Sequence, residues 1–241
     1  MLDSAPLSDH EAVMDPAFKP KITPIERIQE NLVARVERRA LDWLCAHMPR
    51  AMTPDYLTAI GLVGAVMVFV GYIGSNADLA WLWLAVAGYV VHWFGDSLDG
   101  SLARYRKIER PRYGYFLDHS CDGVATTLLV VGIGLTPFVE LEAALIALAG
   151  YLLMSIHAFL SVRVLGELRL SYLNAGPTEL RLVLIALTIT MYVFGREPAL
   201  VGGLNAFDLF VGGVGILMIA LFLVQTTRIA RRLALEEPRR S

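Results

Sequence analysis

Residues 79–135 read LAWLWLAVAGYVVHWFGDSLDGSLARYRKIERPRYGYFLDHSCDGVATTLLVVGIGL. Apart from His92, the run from Leu79 to Gly95 carries no strongly polar side chain. Asp96 and Asp99 follow, then a basic turn with Arg104, Arg106, Lys107, Arg110 and Arg112. A second apolar run, Tyr113 to Leu135, is interrupted near its start by Asp118, His119 and Asp122. Two long apolar runs joined by a short polar turn predict a pair of antiparallel helices. A bilayer core needs about 20 apolar residues per helix, so the pair is expected to span a membrane.

Carboxylates inside membrane helices are costly and call for a partner or a function. Asp96 and Asp99 are spaced i, i+3, and Asp118 and Asp122 are spaced i, i+4, so each pair shares a helix face. On antiparallel neighbours both faces can converge at one membrane boundary. Such a cluster repels itself unless cations sit within it, and all-oxygen ligands suit magnesium, manganese or calcium. Two divalent ions held by carboxylates are a common clamp for phosphoryl chemistry. The competing reading pairs the aspartates with the arginines of the turn, which leaves the neighbouring glycines without a role. Gly100, Ala103 and Gly114 lie about one turn from the carboxylates and leave room for a bulky ligand such as a nucleotide. Arg104 offers a planar, permanently charged fork to phosphate.

The remaining sequence is consistent with this placement. Of 241 residues, 56% are hydrophobic and 18% charged, an excess suited to a lipid-facing bundle rather than a soluble core. The net charge of -2 gives no basic surface for nucleic acid. Cys45 and Cys121 form no CxxC pair and no disulfide framework. The fold expected is all-α: a polytopic bundle of six transmembrane helices with an N-terminal amphipathic interfacial helix. The spans are placed at Tyr56–Gly74, Leu79–Gly95, Tyr113–Leu135, Leu141–Leu165, Leu180–Phe194 and Phe207–Thr226. Residues 1–24 are expected to be a flexible arm, 25–50 an amphipathic juxtamembrane helix, 51–228 the membrane domain and 229–241 a tail. No signal peptide is read in the arm. The amphipathic helix suits either the membrane surface or ordinary packing. Loops rich in Arg and Lys lie on one side, which by the positive-inside rule puts both termini and the aspartate turn in the cytosol. Gly61, Gly64, Gly71, Gly74, Gly132, Gly134, Gly212, Gly213 and Gly215 permit close approach of helices.

The pattern Asp96-x2-Asp99-Gly100-x2-Ala103-Arg104-x9-Gly114-x3-Asp118-x3-Asp122 resembles the signature of the CDP-alcohol phosphatidyltransferase family (class I). It fixes eight positions over 27 residues. The stretch between Arg104 and Gly114 is one residue longer than is usual there. The resemblance implies that Asp96, Asp99, Asp118 and Asp122 hold two ions, Mg2+ or Mn2+, against the donor diphosphate. It implies that Asp99, Gly100, Ala103, Arg104 and Gly114 line the cytidylyl site. Pro54-Asp55-Tyr56-Leu57-Thr58 is similar to a Pro-Asn-x-x-Thr element of the family, with Asp in place of Asn, and brings Thr58 to the nucleotide. Asp122 is implied as the base that deprotonates the attacking hydroxyl. The resemblance also implies a homodimer, a CDP-alcohol donor and surrounding membrane lipids.

In motif detail the chain is most similar to choline and ethanolamine phosphotransferases. Asp118-His119-Ser120-Cys121-Asp122 resembles their Asp-His-Gly-Cys-Asp run, and Gly176-Pro177-Thr178-Glu179 their Gly-Pro-x-Glu element. This implies transfer of phosphoethanolamine or phosphocholine to a lipid acceptor such as diacylglycerol, with His119 and Glu179 acting on the lipid hydroxyl. Asn174 and Arg181 flank the second element and could touch a headgroup. His92 and His157 are read as buried polar contacts or substrate contacts. The first alternative is a phosphatidyltransferase that takes CDP-diacylglycerol and a soluble alcohol. An alternative of another class is a divalent-cation transporter, but its site is expected near the midplane within repeated halves, and no repeat is found here.

Overall fold

A computed structural model describes residues 32–165, 177–196 and 198–237. The arm, the first residues of the amphipathic helix, the segment holding Asn174 and Gly176, and the last residues of the tail lie outside the described residues. The helices are Leu32–His47 (α1), Pro54–Gly74 (α2), Leu82–Arg106 (α3), Pro111–Gly134 (α4), Leu141–Leu165 (α5), Pro177–Phe194 (α6) and Ala206–Glu236 (α7). A 3-10 turn, Leu79–Trp81, precedes α3. The described residues contain no strand, in keeping with a polytopic helical bundle.

Five helices, α2 and α4 to α7, are long and apolar enough to cross a membrane. The second expected span is α3, whose last turns carry Asp96, Asp99, Arg104 and Arg106 and so lower its mean hydropathy. It lies antiparallel to α2 along the length of both. The chain continues helically at both ends where the sequence reading placed boundaries: α3 runs on through the aspartates to Arg106, and α7 runs past Thr226 to Glu236.

Between helices in lipid there is no hydrophobic drive, so close packing must supply the association. Glycines do this along α2 and α3. A Cβ on Gly64 would lie 2.3 Å from His92 N, and one on Gly71 2.5 Å from Ala85 N. One on Gly95 would lie 2.2 Å from Gly61 N. The contact of α5 with α7 uses the same device, since a Cβ on Gly215 would meet Ala147 N at 2.5 Å. Gly213, by contrast, has nothing within 4 Å.

Hydrogen bonds complete the bundle. The Tyr72 hydroxyl lies 3.1 Å from that of Tyr89 and 2.7 Å from Thr188 Oγ1, which joins α2, α3 and α6 in the buried core. At the end remote from the aspartates, Asn205 and Asp208 form a capping box on α7. Asp208, 2% exposed, also accepts from Glu140 N at 2.7 Å.

The aspartate end is closed by α1. Its Leu41, Leu44 and Cys45, with Met48 just beyond it, pack with Leu57, Leu98 and Leu102, so its apolar face is held by protein, while Val36 and Trp43 remain exposed. The Arg106 guanidinium reaches back to the α1–α2 turn and donates to the carbonyls of Met52 (2.5 Å), Pro49 (2.8 Å) and Met48 (3.0 Å). Beyond it Lys107 turns left-handed at φ 57, and Pro111 at the first helical position starts α4.

Candidate active site

α3 and α4 bring their carboxylates to one place. Asp96, Asp118 and Asp122 line a cavity of about 10 Å³, room for about one water, together with Thr58, His92 and Cys121. Asp99 is the fourth, 9% exposed, and all four lie within electrostatic reach of one another. Asp99 Oδ2 accepts from the Thr58 hydroxyl at 2.7 Å, and Oδ1 from Gly100 N at 2.5 Å. Thr58 therefore orients a carboxylate, a link between α2 and α3 that the sequence reading assigned only to the nucleotide.

The basic turn takes other partners. Arg106 serves the backbone carbonyls, Arg110 pairs with the exposed Asp55 at 2.5 Å, and Arg104 donates to Ser101 Oγ at 3.3 Å. The cation that meets the cluster is Arg181 of α6, paired with Asp96 and only 12% exposed. An arginine in the first turns of an otherwise apolar helix was the signal for it.

His119 directs Nδ1 at Asp118 (3.5 Å) and Asp122 (3.6 Å). Its ring lies against Tyr115 and Phe159 with centroids 4.3 and 5.1 Å away, and its Nε2 is buried with no hydrogen-bond partner among the described residues. Ligand atoms of Asp118, His119 and Asp122 lie within 4.8 Å of one another, a spacing able to hold a metal ion. The donor set is thus oxygen-rich with one nitrogen, which suits a hard divalent cation. His92 is buried at the cavity wall, and its Nδ1 has no hydrogen-bond partner among the described residues.

The remaining candidates are placed as follows. Gly100, Ala103 and Arg104 follow Asp99 on α3, with Arg104 exposed. A Cβ on Gly100 would meet Arg104 Nη1 at 3.2 Å, whereas one on Gly114 would meet nothing within 4 Å. Helix packing gives no reason for glycine at 114. Glu179 is half-buried in the first turn of α6, two residues before Arg181. His157 bonds Thr226 Oγ1 at 3.0 Å, in the contact of α5 with α7.

Known proteins resemble parts of this chain. Archaetidylinositol phosphate synthase of Methanothermobacter thermautotrophicus is 30% identical over 52% of this chain and 60% of its own length. Phosphatidylinositol phosphate synthase of Cutibacterium acnes is 34% identical over 35% of this chain and 38% of its own. Cholinephosphotransferase 1 of Danio rerio is 30% identical over 38% of this chain and 25% of its own. The chain thus aligns with less than two thirds of each of these proteins. The model of the CDP-alcohol phosphatidyltransferase family matches residues 51–225, which contain every helix described above except α1 and the end of α7, and the chain belongs to that family.

Proposed function

We propose that the protein transfers a phospho-alcohol from a CDP-alcohol to a hydroxyl acceptor and releases CMP, with a CDP-linked lipid such as CDP-diacylglycerol as donor and a water-soluble alcohol as acceptor. The observation that carries the reaction is the meeting of carboxylates from α3 and α4, with Asp96, Asp118 and Asp122 on one cavity and Asp99 within electrostatic reach of them. The donor assignment reverses the order of preference read from the sequence. Two of the three relatives described are named for a lipid-linked inositol phosphate, the product expected when a CDP-lipid meets a phosphorylated soluble alcohol. Arg181 at the edge of the cluster is a group that an anionic acceptor would meet.

Asp96, Asp99, Asp118 and Asp122 would hold two divalent ions, Mg2+ or Mn2+. When bound, these neutralise charge on the donor diphosphate. Thr58 fixes Asp99, and Gly100, Ala103, Arg104 and Gly114 form the nucleotide wall. The acceptor oxygen forms a bond to the β-phosphorus. The bond from that phosphorus to the CMP oxygen breaks, its electron pair leaves with CMP, and the acceptor proton passes to Asp122. The loop charges support a cytosolic site and cytosolic termini, and the protein is taken to act as a homodimer.

The second reading keeps a soluble CDP-amino-alcohol as donor and diacylglycerol as acceptor. The match to cholinephosphotransferase 1 and the His119 contacts with Asp118 and Asp122 favour it. CMP release by the full chain in nanodiscs with magnesium decides between them. CDP-diacylglycerol with soluble alcohols, including inositol phosphate, is run against CDP-choline and CDP-ethanolamine with diacylglycerol. CMP from the lipid-linked donor supports the first reading, and CMP confined to the amino-alcohol donors replaces it with the second. In either case Asp122→Asn is expected to lower turnover by about 10²–10⁴-fold. An unchanged rate in that variant removes Asp122 as the base.

A further inference from the structure

Glu37 lies on α1, a helix that contributes none of the groups placed in the site above. Its Oε1 accepts two hydrogen bonds from two other helices, one from Trp93 Nε1 of α3 at 2.9 Å and one from Thr178 Oγ1 of α6 at 2.6 Å. Trp93 precedes Asp96 by three residues, and Thr178 precedes Arg181 by three. Arg181 in turn pairs with Asp96. The contacts therefore close a ring: α1 to α3 through Glu37 and Trp93, α3 to α6 through Asp96 and Arg181, and α6 to α1 through Thr178 and Glu37.

The ring matters because of how α6 is held. Its buried residues are Leu187, Thr188 and Met191, all in the second half of the helix. The first turns have no fully buried side chain, so polar links must fix their place. A hydroxyl bonded to a carboxylate is short and strong compared with a neutral pair, and an indole N–H is an obligate donor that usually finds a partner when buried. One carboxylate oxygen on α1 satisfies both.

We propose that Glu37 is a positioning residue, which sets the first turn of α6, with Glu179 and Arg181, against the aspartate site. This rests on the phosphotransfer reading given above. Glu37 touches no substrate. Its bond to Thr178 governs how well the acceptor is met, and its bond to Trp93 of α3 is a separate contact that Thr178→Val leaves in place.

The test uses the full chain in nanodiscs, with Glu37→Ala, Glu37→Gln, Thr178→Val and the double variant Glu37→Ala/Thr178→Val. Glu37→Ala is expected to raise the acceptor KM about tenfold, the scale of losing a hydrogen bond to a charged group. In Thr178→Val, which removes only the bond to α6, the donor KM should stay within about twofold while the acceptor KM rises. Glu37→Gln keeps an acceptor oxygen in place and should recover most of the loss. The double variant should be no worse than Glu37→Ala, because both remove the same bond. Hydrogen exchange supplies a readout that needs no turnover: Glu37→Ala should speed exchange over residues 181–185, the first amides bonded within α6, and leave 187–194 protected. The proposal is overturned if exchange over 181–185 is unchanged in Glu37→Ala, or if donor and acceptor KM rise together in Thr178→Val. If the wild type releases no CMP from any donor, the phosphotransfer reading fails on its own, and the exchange experiment still reports on Glu37.

Discussion

Replacing Gly95 with alanine should cripple the enzyme through the spacing of two helices rather than through any reacting group. The added Cβ would lie 2.2 Å from Gly61 N, 2.4 Å from Leu57 O and 2.6 Å from Gly61 Cα. These are backbone atoms, so no rotamer change relieves the clash. Restoring an ordinary contact of about 3.4 Å separates α2 and α3 locally by about 1 Å. The strain costs about 1–3 kcal/mol. About one turn away, the Thr58–Asp99 hydrogen bond of 2.7 Å would open beyond bonding range. Displacement of a reacting group by about 1 Å lowers rate by about 10²-fold. The assay is CMP release in nanodiscs beside thermal melting of the same samples. Turnover should fall about a hundredfold in protein that still melts cooperatively. Gly61→Ala, whose nearest contact would be 3.2 Å, should be milder, and Gly213→Ala should match wild type. Wild-type turnover in Gly95→Ala would refute the dependence of the site on this spacing.

Two further outcomes separate binding from stability. Gly114→Ala meets no protein atom within 4 Å and lies inside a helix, so melting should be unchanged or slightly raised while the donor KM rises about tenfold; an unchanged KM removes Gly114 from the nucleotide wall. Arg106→Ala strips the α1–α2 turn of its guanidinium contacts and should destabilise the protein by about 2–4 kcal/mol. Urea or thermal unfolding in detergent measures this, and a loss below about 0.5 kcal/mol contradicts the clamp.

The hairpin, the polytopic helical bundle and the shared faces of the aspartates are legible because each depends on composition or on spacing within one helix, whereas of the six expected spans only five helices among the described residues are long and apolar enough to cross a membrane. The Asp96/Asp99 and Asp118/Asp122 pairs needed only helical periodicity and a short turn to meet. The glycines announced close packing, but nothing in the sequence said that Gly95 would face Gly61 while Gly213 would face nothing. Asp208 was legible in principle, since Asn205-x-x-Asp208 has the form of a capping box, and it went unread. Glu37, Arg106 and the Tyr72–Tyr89–Thr188 set were beyond local reasoning. Their partners stand between 17 and 141 residues away in sequence, and only the packed bundle selects them. Arg181 was noticed beside the Glu179 element, but its choice of Asp96 depends on where α6 lands.

The Tyr72–Tyr89–Thr188 junction gives α6 a fulcrum. Sliding of α6 along the membrane normal would break the buried Tyr72–Thr188 bond in an apolar surround, although Tyr72 would keep Tyr89 and Thr188 would keep the Leu184 carbonyl. Tilting about Thr188 keeps the junction intact. Thr178 lies ten residues away, a lever arm of about 15 Å at 1.5 Å per residue. A tilt of only about 4° about that pivot therefore carries the first turn of α6 through about 1 Å, the same scale of displacement as that expected in Gly95→Ala.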